Sequence, residues 1–79
     1  MKTKGGLDVT TLEVGDMTIE REMGMSCVCE VLTKPVRNEQ GQWEWRAMNI
    51  ENSEEINYMV MEGHAHYGPN VSRLEGEIT

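Results

Sequence analysis

The chain contains no phenylalanine, and its aromatic stock is two Trp and two Tyr in 79 residues. A core with so little to bury must draw on Trp43 and Trp45 first, while the seven Met fill irregular gaps or an adaptable docking surface. Basic residues are scarce too. Seven Lys and Arg stand against fourteen Asp and Glu, a net charge of −7. That balance excludes sequence-independent binding to nucleic acid, which needs cations to displace counterions, and excludes an anionic membrane surface. It favours a basic protein partner, against the simpler reading that the charge serves solubility. No apolar run approaches the roughly 18 residues of a membrane span. The opening Met-Lys-Thr-Lys-Gly-Gly has no apolar segment behind it and does not read as a secretory signal. The expected compartment is therefore the cytoplasm, with Cys27 and Cys29 as reduced thiols.

What is present is alternation. In residues 42–50, Trp43, Trp45 and Ala47 share one face at period two, and Glu44 and Arg46 the other, as a half-buried antiparallel strand requires. After Ala47 the apolar pair becomes Met48 and Ile50, a one-residue slip that predicts a β-bulge. Residues 16–22 and 25–36 alternate as well. In the second of these Met25, Cys27, Cys29 and Val31 share a face, Gly24 breaks the chain before it, and Pro35 marks its end. Residues 37–41 have the Asn and Gly of a hairpin loop. Residues 55–62 read as a strand with Ile56, Tyr58 and Val60 on one face, although Ile56, Met59 and Val60 also fit a short helix. Leu7-Asp8-Val9 is a further short strand, and residues 75–79 a last one. Gly68-Pro69-Asn70 is a turn, and Val71 with Leu74 fits a 3₁₀ turn near the C-terminus. The expected architecture is mainly β: residues 1–6 a disordered tail, residues 7–79 one small five-stranded antiparallel barrel.

Leu12-Glu13-Val14-Gly15-Asp16 resembles the diverging turn of SH3 domains, Gln42-Trp43-Glu44-Trp45-Arg46-Ala47 their Trp-Trp-x-Ala strand, and Pro69-Asn70-Val71 the segment that opens their 3₁₀ turn. The likeness to an SH3-like barrel covers residues 12–75. It implies that Trp43 and Pro69 lie where SH3 domains hold proline-rich peptides. Yet the Ala-Leu-Tyr-Asp-Tyr segment of that family is missing, and Val71 replaces its Tyr. The groove then lacks most of its aromatic walls.

Three constellations are candidates for function. Cys27-x-Cys29 and His64-x-His66 each offer two ligands from one strand face, an alternative zinc set; the competing reading is two buried thiols and two solvated histidines. Trp43, Trp45, Tyr58 and Tyr67, with His64, His66 and Pro69, form a candidate binding surface against the simpler reading of core. Glu20, Glu22, Glu51, Glu54 and Glu55 form an acidic surface against the simpler reading of solvation. No nucleophile sits beside a base in a recognisable motif, so no catalytic residue, resident metal or cofactor is assigned. The leading expectation is a non-enzymatic protein-binding module, adaptor or inhibitor acting through its acidic surface. One alternative is a homo-oligomer that binds a small ligand or nucleotide. The other is a nucleic-acid mimic of the type that phage-encoded inhibitors of host enzymes represent.

Overall fold

A computed structural model of the chain describes residues 2–61 and 69–74. The strands are β1 (Met17–Glu22), β2 (Met25–Val31), β3 (Val36–Arg37), β4 (Gln42–Asn49), β5 (Glu55–Met61) and β6 (Val71–Arg73). All pairings among them are antiparallel. β4 lies between β5 on one side and β2 with β3 on the other; β2 then pairs with β1, and β1 with β6. The sheet curls into a half-barrel. Among the described residues no helix is long and apolar enough to cross a membrane.

The expected 25–36 strand is two strands, because residues 32–35 open a bulge. Val31 pairs with Ala47 and Val36 with Glu44, so four residues on one side face only Trp45 and Arg46 on the other. The Arg46 carbonyl accepts from the Leu32 and Thr33 amides at 2.8 and 3.3 Å, and the Arg46 N–H donates to Thr33 Oγ1 at 2.9 Å. The Leu32, Thr33 and Arg46 backbone groups that the bulge frees thus find partners. The bulge expected after Ala47 does not occur. β4 pairs with β5 in one unbroken register from Gln42↔Met61 to Met48↔Glu55. The position after Ala47 on the inner face is simply polar: it is Asn49.

Indole burial follows the alternation. Trp45 and Ala47 are buried, and Trp43 is half-buried against the same core. Ile56, Tyr58 and Val60 face them from β5, in strand rather than helix. On β1 the inner residue is Thr18, 2 % exposed, while Met17 and Ile19 are only half-buried. Its register opposite Cys29 places Thr18 inward despite the more apolar side chains on the other face.

The ends depart furthest from expectation. Leu7-Asp8-Val9 forms no strand of its own. Val9–Thr11 is a 3₁₀ turn whose N-cap, Asp8, accepts from the Thr10 amide at 3.0 Å. The 3₁₀ turn therefore lies near the N-terminus, and the segment from Val71 that was expected to carry it is β6, held by pairing of Thr18, Ile19 and Glu20 with Arg73, Ser72 and Val71. Residues 2–6 lie against β6 and the residues before it. Thr3 is buried and donates its hydroxyl to the Val71 carbonyl, and the Lys4 N–H donates to the Pro69 carbonyl at 3.1 Å. Leu7, Val9 and Leu12 complete the core. Each fully buried aliphatic side chain contributes about 1.5–3 kcal/mol. The strand expected at residues 75–79 lies outside the described residues.

Candidate functional site

Two turns define one end of the half-barrel. The β1–β2 hairpin closes on Met23-Gly24, with Glu22 paired to Met25. Both turn residues have positive φ, +51° for Met23 and +78° for Gly24, the mirror-image turn that matches the twist of a two-residue hairpin. Gly24 adopts it freely. Met23 does so against a cost of about 1–2 kcal/mol, and its side chain is 92 % exposed. The β4–β5 turn is held by its own side chains. Asn49 Oδ1 accepts from the Glu51 amide at 2.8 Å and Asn52 Oδ1 from the Glu54 amide at 2.9 Å. Between the two turns lies a cleft of about 450 Å³ lined by Glu20, Glu22, Met23, Met25, Ser26, Cys27, Asn49 and Glu51. No Lys or Arg is among them.

A line of polar groups runs inward from this cleft across the concave face. Asn49 Nδ2 donates to Cys27 Sγ at 3.1 Å; the Cys27 and Cys29 sulfurs are 3.6 Å apart; Cys29 Sγ is 3.7 Å from the Tyr58 hydroxyl, which donates to Glu20 Oε1 at 2.8 Å. The line exists because Cys27 and Cys29 stand two apart on β2 while Glu20 pairs with Cys27 and Asn49 with Cys29. Burial pushes the Cys27 thiol up to about 11, and the hydrogen bond with Cys29 and the nearby Glu20 and Glu51 charges act the same way. Burial, and then its bond to Glu20, holds Tyr58 well above the usual phenol value. Both groups therefore stay protonated at neutral pH. A thiol in that form is a poor nucleophile.

The structure separates the residues that the sequence grouped. Trp45 stacks on Tyr58 with ring centroids 5.3 Å apart and planes 21° from parallel, and both are buried. They form core, not an exposed aromatic platform, and half-buried Trp43 packs against the same core. Pro69 lines a cleft with Lys4, Arg21, Met23 and Asn70, and Trp43 is not among that cleft's residues. The pair that the SH3 resemblance places in one peptide groove does not meet there. His64, His66 and Tyr67 lie outside the described residues, and with them half of the alternative zinc set. Among the described residues no group of three or more His, Cys, Asp or Glu is arranged to hold a metal ion.

Of the five acids, Glu20, Glu22 and Glu51 meet in the one cleft. Glu54 stands in the β4–β5 connection and is not among that cleft's residues, and Glu55 is on the outer face with Arg46 Nη1 at 3.3 Å. Sequence reasoning missed Met23, Met25 and Asn49. Met23-Gly24 between two alternating stretches was the available signal for the hairpin tip, whereas Asn49 looked like a break in the pattern.

Comparison of the chain with protein-family models, with curated proteins and with solved structures finds no match.

Proposed function

We propose that the protein is a non-enzymatic protein-binding module that docks a basic partner on the end formed by the β1–β2 hairpin and the β4–β5 turn. One observation carries this reading. Met23 holds a costly backbone conformation with its side chain almost wholly in water, and the cleft it shares with Asn49 is lined by three carboxylates and no Lys or Arg, while Lys4 and Arg21 line the cleft on its other side. Strain held at an exposed tip is a mark of a contact site. Met23 and Met25 supply adaptable apolar anchors, and the carboxylates steer a cationic segment toward them. The SH3-like reading of the barrel belongs to the same proposal. It is supported by the antiparallel return of β6 to β1 after a four-strand meander, with β2 and β3 counted as one bent strand. Two free thiols suit a reducing compartment such as the cytoplasm.

The test is an array of short peptides graded in charge, each with or without one large apolar residue. Binding is expected for Lys- and Arg-rich peptides with the apolar residue, weakening as salt rises. Met23→Asn and Glu22→Lys should each reduce it about tenfold, or about 1.4 kcal/mol. Equal binding of acidic and basic peptides, or variants indistinguishable from wild type, would overturn the assignment.

A further inference from the structure

We propose that Cys27 and Cys29, with Met25 at the mouth, form a binding site for a soft monovalent metal ion of the copper(I) class. Sulfur recurs at every second residue along the hairpin, at Met23, Met25, Cys27 and Cys29. On β2 that period puts Met25, Cys27 and Cys29 on one face. The two thiol sulfurs are 3.6 Å apart. Metal–thiolate bonds of about 2.3 Å let one ion span sulfurs up to roughly 4.6 Å apart, so both can reach the same ion without a change in the strand.

Access and charge fit the same ion. Cys29 is buried and Cys27 half-buried, and Cys27 lines the acidic cleft together with Met23 and Met25. An entering cation is concentrated by Glu20, Glu22 and Glu51, passes the thioethers, and meets Cys27 first. Met25 is 76 % exposed and can fold over the ion through its three rotatable bonds. Thiolate and thioether donors select soft copper(I). A divalent ion such as zinc wants a fuller set of ligands, and the described residues do not assemble one. Binding exchanges two thiol protons for one cation with no change in oxidation state. The resulting complex carries a net negative charge, which the Asn49 amide already bonded to Cys27 is placed to stabilise. The site rests on the thiol pair, so it stands or falls separately from partner docking at Met23.

The experiment is an anaerobic titration of the full chain against copper(I) held by a chromophoric chelator, with native mass spectrometry for stoichiometry. One equivalent should pass to the protein, and zinc(II) offered alone should not be retained. Cys27→Ser should lower the affinity by at least about tenfold, and Met25→Leu by about tenfold. Met25 is exposed, so its leucine variant should keep the wild-type tryptophan spectrum and remain informative if a cysteine variant unfolds. No transfer from the chelator, or unchanged affinity in both Cys27→Ser and Met25→Leu, would overturn the site. So would equal affinity in the urea-unfolded chain, which would reduce it to two unconnected thiols.

Discussion

Tyr58 on β5 donates its hydroxyl hydrogen to Glu20 on β1 across 2.8 Å, joining strands that are separated in the sheet by β4 and β2. The bond spans the concave face and gives a half-buried carboxylate its partner. Tyr58→Phe leaves the ring in place and removes that partner, together with the longer contact of the hydroxyl to Cys29 Sγ. It is expected to cost about 1–3 kcal/mol, since hydrogen bonds to charged groups exceed neutral ones. Urea unfolding measures it. Combining the change with Glu20→Gln should give less than the sum of the two, as a coupled pair does.

Trp45 and Trp43 should differ in proportion to burial. Trp45→Ala opens a cavity against Tyr58 and should cost about 3–5 kcal/mol. Small domains have only about 5–15 kcal/mol in total, so a large part of the stability goes. Trp43→Ala, at a half-buried position, should cost clearly less. A reversed order of the two urea midpoints would contradict the core described above.

Met23→Asn creates Asn-Gly at the hairpin tip, the pair that the mirror-image turn prefers. Stability should rise by about 1 kcal/mol as the backbone cost is relieved. Peptide binding should fall at the same time. Measured together, a higher melting temperature with weaker binding is the expected signature of a strained contact residue.

Alkali should loosen the fold through Cys27. Its folded value, about 11, lies above the ordinary 9.0, so the folded chain holds the thiol proton more tightly than the unfolded chain. The stability that this contributes is whole below pH 9 and is lost as pH rises toward 11. Tyr58, also raised, acts with the same sign. Melting temperature should drop across that window in wild type and drop less in Cys27→Ser.

Acid should act through Asp16. Its hydrogen bond from Arg73 at 2.8 Å, with a backbone bond from Glu13, holds the carboxyl below the ordinary 3.8. The stability so gained is present above pH 3.8 and is lost as pH falls through the lower folded value. Arg73→Ala should flatten the acid limb of the melting curve. Lys34→Ala breaks an exposed pair with Glu13 and should shift stability by no more than about 1 kcal/mol.

Much of the sheet was legible because period-two alternation survives wherever one face is buried. Trp43, Trp45 and Ala47 were placed inward, and so were Ile56, Tyr58 and Val60, with boundaries near those observed. The 37–41 loop was legible from Asn38 and Gly41, and Asn38 Oδ1 indeed accepts from the Gln40 and Gln42 amides at 2.9 Å. The failures fell where a tertiary partner decides the outcome. Nothing local in Leu7-Asp8-Val9 says that Asp8 will cap a turn, and nothing in Lys-Thr-Lys-Gly-Gly says that Thr3 will be buried under β6. Asn49 was misread because an inward polar residue looks like a slipped register. Its partner, Cys27, is 22 positions away. Of the site, the acids and the thiols were visible as residue types, but their meeting in one cleft depends on the register of β1, β2 and β4 and the geometry of two turns.

The hold of Thr3 on Val71 bridges 68 positions, and at Gly5 even a methyl group would come within 2.4 Å of the Val71 carbonyl oxygen. The two extremities of the described chain are thus clasped together, in addition to the pairing of β6 with β1. Contacts this far apart in sequence raise the contact order, which puts the protein among slow folders, on the order of milliseconds to seconds. A tag or fusion that displaces the first few residues will loosen the opposite extremity as well.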